Sequence, residues 1–138
     1  MTIDYQFSET AADFQLIERH LMAYNARFLT EKHDYTTIKA LDADGALLGG
    51  ISFAVFGRCC YIALLWMGEN ARGRGLGGEL LARAEAEARR RGCSYMRLNT
   101  HSFQAPGFYP KFGYQLAAEW TDYPQIGYTN REFRKELA

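Results

Sequence analysis

Cys59-Cys60-Tyr61-Ile62-Ala63-Leu64-Leu65-Trp66-Met67 runs directly into Gly68-Glu69-Asn70-Ala71-Arg72-Gly73-Arg74-Gly75-Leu76-Gly77-Gly78, and the change of character between the two halves decides the fold. The first half is nearly all apolar, the pattern of a strand buried on both faces. The second is a polar loop ending in glycines at 73, 75, 77 and 78. A helix is predicted over Gly75–Arg91, because Leu76, Leu80, Leu81, Ala84 and Ala88 fall on one face. Glu79 with Arg83, Glu85 with Arg89 and Glu87 with Arg91 are i,i+4 pairs in the favourable order. Arg89, Arg90 and Arg91 suit the negative end of the helix dipole, and Gly92 is a left-handed stop. Strand, loop and helix in that order begin a crossover to a further strand, predicted over Ser94–Thr100.

Working outward, Leu47–Phe56 reads as the strand before Cys59–Met67, joined to it by a tight turn at Gly57-Arg58. Tyr35–Ala43 precedes it, closed by the turn Asp42-Ala43-Asp44-Gly45. Near the N-terminus, Ile3, Tyr5 and Phe7 alternate as in a strand, and Phe14, Ile17, Leu21, Tyr24 and Phe28 form one stripe of a helical region from Thr10 to about Leu29. Downstream, a short helix is predicted over Ala105–Phe112, then strands over Gly113–Trp120 and Tyr128–Lys135. The whole is an α/β or α+β sheet with local hairpins and one central crossover.

The chain of 138 residues is the size of one domain, with an apolar fraction of 48% that can build a core unaided by disulfides. Sixteen basic and sixteen acidic side chains cancel, which argues against a nucleic-acid binder. No stretch has the length of a membrane span and no signal peptide opens the chain, so a cytoplasmic protein with no membrane partner is expected. Cys59, Cys60 and Cys93 lack metal or redox spacing, so reduced, packed thiols and no metal are expected.

Glycines that uncover backbone amides at a helix start suggest a phosphate site. A nucleotide-hydrolase loop would end in Gly-Lys-Ser/Thr, where this chain has Gly77-Gly78-Glu79. A dinucleotide fingerprint matches Gly73, Gly75 and Gly78, but polar residues separate it from its strand and Ser94–Thr100 has no carboxylate. The third pattern, R-x-x-G-x-G, is met by Arg72, Gly75 and Gly77. Close packing of the helix is the plain alternative for these glycines.

With that pattern, and with Ala105-Pro106-Gly107-Phe108-Tyr109-Pro110-Lys111-Phe112-Gly113-Tyr114 matching A-x-x-F-Y-x-K-x-G-F, the chain resembles the GNAT superfamily of acyl-CoA-dependent N-acyltransferases over nearly its whole length. The resemblance implies a mixed, mostly antiparallel sheet of about six to seven strands with about four helices, split by a splayed strand pair around the acyl-CoA. It implies N-acetyltransfer from acetyl-CoA, a co-substrate, to a primary amine by direct transfer in a ternary complex. A non-catalytic acyl-CoA-binding or sensing module is the alternative.

By the same resemblance, Arg72, Gly73, Arg74, Gly75, Leu76, Gly77 and Gly78 hold the pyrophosphate. Leu65, Trp66 and Met67 pair with the pantetheine arm, and Asn99, Ser102, Ala105 and Phe108 line the remainder. Tyr109 is the general acid beside the sulfur. Three positions depart from the family pattern: Tyr61 stands where some members have a glutamate base, Glu69 where proline is common, and Ser102 where many have asparagine. Ser102, Asn99 or Gln104 is then expected to supply the missing contact. The base is open among His101, Glu69, water and the terminal elements, with His101 the first choice. Tyr24, Asn25, Phe28, Tyr61 and Tyr123, with Trp120, Asp122 and Tyr128, are candidates for the acceptor wall, their alternative being core or rim aromatics. A monomer or homodimer is expected. The zero charge also conceals an asymmetry: residues 1–50 carry eight carboxylates against four bases, and residues 72–97 seven arginines against three glutamates.

Overall fold

In the computed structural model, which describes residues 1–138, the chain divides into two units, Met1–Lys32 and His33–Ala138. The N-terminal unit holds helix α1 (Ala11–Asn25), opened by Thr10, whose Oγ1 accepts a hydrogen bond from the Asp13 amide at 3.2 Å. The predicted stripe lies on this helix and the turn after it, yet α1 buries no residue. Tyr24 and Phe28 pack ring to ring at 5.6 Å, with the Arg27 guanidinium over both. The strand expected over Ile3–Phe7 does not form: Ile3, Tyr5 and Phe7 are exposed in irregular chain. Alternation supplies a strand with a face but not with the neighbour its amides and carbonyls need.

In the second unit, strands β1 (Thr36–Leu41), β2 (Leu47–Phe56), β3 (Cys59–Met67), β4 (Tyr95–His101), β5 (Gln115–Thr121) and β6 (Thr129–Glu136) form one sheet in the order β1-β2-β3-β4-β6-β5. All pairs are antiparallel except β3 and β4, which the crossover helix α2 (Leu76–Arg90) makes parallel. The sheet is therefore the mixed, mostly antiparallel one expected, with fewer helices. The predicted Ala105–Phe112 helix shrinks to a 3-10 turn at Tyr109–Phe112, where Pro110 brings no N–H for a longer helix. A second such turn, Glu69–Ala71, sits in the loop before α2.

Strand alternation sorts the side chains to two faces. Ile51, Phe53, Cys60, Ile62, Met96, Leu98 and Phe133 face α2 and pack with its Leu80, Leu81, Ala84 and Ala88. The opposite face carries Tyr61, Tyr95, Arg97, Asn99, His101, Asn130 and Glu132. Cys59, Cys60 and Cys93 are free and buried, and burial pushes the Cys60 thiol up to about 12.

The strands β3 and β4 pair from Cys59/Tyr95 to Ile62/Leu98 and no further. The break has a local cause. On its other edge β3 pairs Ile62 with Phe53 and Leu64 with Ser52, leaving Ala63 as an extra residue. Such a bulge bends and twists its strand, and it lies just past the last parallel pair. Beyond it the β4-facing edge of β3 has no strand partner.

Two contacts set the pose of α2. A Cβ on Gly77 would stand 2.8 Å from Met67 Cε and 3.0 Å from Phe108 Cζ, and one on Gly78 2.7 Å from Phe112 Cζ. These two glycines serve close packing. At mid-helix, Glu85 is buried, accepting hydrogen bonds from Tyr114 Oη and Lys135 Nζ, each at 2.8 Å. It is thus no partner of Arg89: the i,i+4 spacing predicted an exposed pair, but the inward position of Glu85 claims it for β6 and Tyr114. Burial and the adjacent Glu85 carboxylate push the Tyr114 phenol well above the usual tyrosine range.

Glu85→Ala leaves a buried phenol and a half-buried ammonium without their acceptor and is expected to destabilise the fold by about 1–3 kcal/mol. Gly78→Val, by overpacking against Phe112, should cost about 1–3 kcal/mol. The exposed pair Glu79–Arg83 is the control: Glu79→Ala should change stability by no more than about 1 kcal/mol. Urea unfolding measures all three, and a Glu85→Ala value as small as the control would refute the structural role of Glu85.

Candidate active site

The loop before α2 shows why its glycines fall into two kinds. Gly73 and Gly75 have φ of +77° and +74°, the left-handed region, and a Cβ on either would meet nothing within 4 Å. Gly75 is the N-cap and has no side chain to cap with. The first helical bond runs from the Glu79 amide to the Gly75 carbonyl at 3.1 Å, so the amides of Leu76, Gly77 and Gly78 have no helical acceptor. Exposed Arg72 and Arg74 flank this end. Free amides, the positive end of the helix dipole, two cations and open space make an anion cradle.

At the fork between β3 and β4, Leu65 and Met67 lean on the core while Trp66 is exposed. Phe108, next to Ala105 and Gly107 in the connecting loop, packs at 5.0 Å from both the Tyr109 and the Phe112 rings. Tyr109 is buried, 5.7 Å from the Tyr114 ring and 6.0 Å from Phe133. Burial alone pushes its phenol up to about 12. The chain leaves no buried polar side-chain atom unpartnered, and the only hydroxyl bonded to Glu85 is that of Tyr114.

On the face away from α2, a hollow of about 590 Å³ is lined by Tyr61, Asn99, His101, Trp120, Tyr123, Asn130 and Glu132. The strand register builds it, because β4 and β6 place His101 opposite Asn130 and Asn99 opposite Glu132. Tyr61 Oη donates to Asn99 Oδ1 at 3.4 Å, Asn99 Nδ2 donates to Asn130 Oδ1 at 2.9 Å, and Asn130 Nδ2 lies 3.1 Å from His101 Nδ1. Glu132 accepts a long hydrogen bond from Trp120 Nε1 at 3.5 Å, with an Arg97 nitrogen at 4.0 Å. A second hollow, of about 440 Å³, shares Tyr61 and adds Tyr35, Phe56, Cys59, Tyr95 and Arg97. The Arg97 guanidinium lies 5.4 Å from the Tyr61 ring centre.

The structure therefore gathers Tyr61, Asn99, His101, Trp120 and Tyr123 on one face. Tyr24, Asn25 and Phe28 belong to the N-terminal unit. Asp122 caps its own turn, accepting from the Gly127 amide at 2.9 Å, and Tyr128 packs edge-on against Phe103. The three residues considered for the asparagine contact are all engaged within the protein. Ser102 Oγ accepts from the Thr129 amide, Gln104 Oε1 from Thr100 Oγ1 and the His101 amide, and Asn99 is in the chain above. Glu69 is exposed in its 3-10 turn. Sequence reasoning missed Asn130 and Glu132. The signal was the alternation of Asn130, Glu132, Arg134 and Glu136, which puts four polar groups on one face of β6.

Comparison with known proteins bears on the family and the fold. The acetyltransferase (GNAT) family matches residues 4–114. The chain is 48% identical over 94 residues to the blasticidin-S acetyltransferase of Streptomyces morookaense, covering 67% of this chain and 68% of that protein. An acetyltransferase of Bacillus cereus superposes with a TM-score of 0.84 at 28% identity, covering 97% of this chain and 98% of the other. A Bacillus anthracis protein assigned as a streptothricin acetyltransferase, solved with acetyl coenzyme A, has the same fold. Its TM-score is 0.67 at 17% identity, over 82% of this chain and 68% of that one. By motif, fold and family match together, the chain belongs to the acetyltransferase (GNAT) family.

Proposed function

We propose that this acetyltransferase moves an acetyl group from acetyl-CoA to a primary amine of a small molecule, directly, within a ternary complex of enzyme, acetyl-CoA and amine. The observation that carries the reading is the cradle at the start of α2. Its left-handed Gly73 and Gly75 open onto free space and its helix amides lack acceptors, beside the one place where the sheet splits. Acetyl-CoA supplies an activated thioester and a pyrophosphate. The amides of residues 73–78, the Arg72 guanidinium and the helix dipole suit the pyrophosphate without a metal. The unpaired edge of β3 at Leu65, Trp66 and Met67 suits the amides of the pantetheine arm, and its donors would stabilise negative charge developing on a carbonyl oxygen. Phe108, which packs on Gly77, and Ala105 beside it are proposed to line the remainder of the cofactor site.

Tyr109 is the proposed general acid. With its phenol near 12, it is protonated throughout the neutral range, and a buried thiolate is raised by the same desolvation, which keeps the proton transfer matched. His101 is the proposed base, in a hollow whose Tyr61, Trp120, Tyr123 and Glu132 suit an amine with apolar and cationic parts. Direct transfer is favoured over a thiol intermediate because burial raises the pKa of all three cysteines. We read residues 1–138 as one catalytic domain.

Release of free CoA thiol, followed with a panel of amines that begins with blasticidin S, tests the reading. Turnover with an amine is expected. Binding of acetyl-CoA without thiol release from any amine would favour a sensing module instead. Gly75→Val places a side chain where the protein itself has nothing, so it should fold with a backbone penalty of about 1–2 kcal/mol and yet lose acetyl-CoA binding. Normal binding would displace the cradle from its role. Tyr109→Phe should lower turnover roughly 10²–10⁴-fold with acetyl-CoA binding intact. The folded phenol titrates above the unfolded value of about 10, so its contribution to stability is complete below that pH and lost as pH rises toward 12. Tyr109→Phe should therefore also reduce the alkaline fall in melting temperature.

A further inference from the structure

The hydrogen-bond chain Tyr61–Asn99–Asn130–His101 has a property that its members lack singly. Each asparagine presents an acceptor oxygen at one end of its carboxamide and a donor nitrogen at the other. In the arrangement found, every link donates in the same direction, from the phenol toward the imidazole. His101 Nδ1 then accepts, so a neutral ring carries its proton on Nε2 and has no lone pair free for a substrate. Turning both carboxamides by 180° exchanges donor for acceptor at every link without moving a strand. Nδ1–H then donates to Asn130 Oδ1, Asn130 Nδ2 to Asn99 Oδ1, and Asn99 Nδ2 to the Tyr61 oxygen. His101 Nε2 is now a free base, and the Tyr61 hydroxyl proton points out of the chain.

We propose that Asn99 and Asn130 are positioning residues: through a hydrogen-bond chain of reversible polarity they decide which nitrogen of His101 carries the proton and whether the Tyr61 hydroxyl donates into the chain or into the hollow. The inference rests on the reading of His101 as the base. In the reversed polarity the amine N–H proton passes to Nε2, and the imidazolium keeps its Nδ1–H on Asn130 Oδ1, so one polarity serves before and after the transfer. Burial enforces the coupling. Asn130 is 4% exposed and Asn99 half-buried, so a carboxamide that turned alone would face like to like, oxygen to oxygen if Asn99 turned and nitrogen to nitrogen if Asn130 did, with little water to relieve it. The 3.4 Å link to Tyr61 is the longest of the three, so coupling is tighter at the imidazole end.

Other titratable groups lining the hollow with His101 are Tyr61 from β3, Glu132 from β6 and Tyr123 from the β5–β6 connection, and Arg97 of β4 lies 4.0 Å from Glu132. Glu132 is the rival base, and Glu132→Gln is the control for it.

The test is the tautomer of neutral His101, read from its imidazole nitrogen shifts by NMR. Wild type without substrate should show Nε2–H. Asn99→Asp does not touch His101, but its carboxylate can only accept, so it should turn Asn130 and switch His101 to Nδ1–H. Asn130→Asp should do the same by direct contact, and should move the acid limb of kcat/KM to higher pH because a carboxylate beside the ring favours the imidazolium. Asn130→Leu, which cannot bond at all, should lower kcat roughly 10–100-fold with the KM for acetyl-CoA unchanged, below the full loss expected of His101→Gln. An unchanged tautomer in folded Asn99→Asp would overturn the relay. Full activity in His101→Gln would instead remove His101 as base, and the nitrogen shifts would still decide the polarity of the chain.

Discussion

Everything in the second unit hangs on the short parallel seam between β3 and β4. It alone joins the β1-β2-β3 half of the sheet to the β4-β6-β5 half, and α2 spans the connection on one face. A seam carried to the ends of both strands would close the sheet. One that stopped earlier would leave Met96 and Leu98 short of the apolar neighbours around Cys60 and Ile62. The extra residue at Ala63 places the stopping point, so a single local irregularity decides both where the core ends and where the cleft begins.

Either side of that seam, the two faces of the sheet do different work with the same alternation. Toward α2, buried apolar residues and the Glu85–Lys135–Tyr114 group hold helix to sheet. On the other face, the register that pairs His101 with Asn130 and Asn99 with Glu132 assembles polar groups from two strands that are nearly 30 residues apart in sequence. A one-residue slip of β6 would put Phe133 among those polar groups and Asn130 into the core, so packing on one face guards the polar geometry on the other.

Much of this was legible beforehand, and the failures are instructive. Leu47–Phe56 and Cys59–Met67 form over the ranges their apolar runs predict. Cys59–Met67 is not, however, the strand buried on both faces that its composition suggests: one face packs on α2, while Leu64 and Trp66 on the other are exposed because no layer covers that side. Ile3–Phe7 had the pattern of a strand without a partner to pair with. The i,i+4 spacing pairs Glu85 with Arg89, a locally sufficient partner, whereas its acceptor role depends on Lys135, fifty residues away. The hollow was half legible. Tyr61, His101 and Tyr123 drew notice by type, while Asn130 and Glu132 sit in a strand whose alternating polarity looks like ordinary solvent exposure until the register is known.

The contacts of Gly77 with Phe108 and of Gly78 with Phe112 have a mechanical meaning beyond close packing. The two sequence motifs, about thirty residues apart, are pressed together without a gap, so the start of α2 and the buried phenol of Tyr109 are mounted on one bracket. Such a bracket is a gauge. With the proposed phosphate site at one end and the proposed acid at the other, it would fix the length that a ligand must have and select for reach before any side chain reads chemical identity.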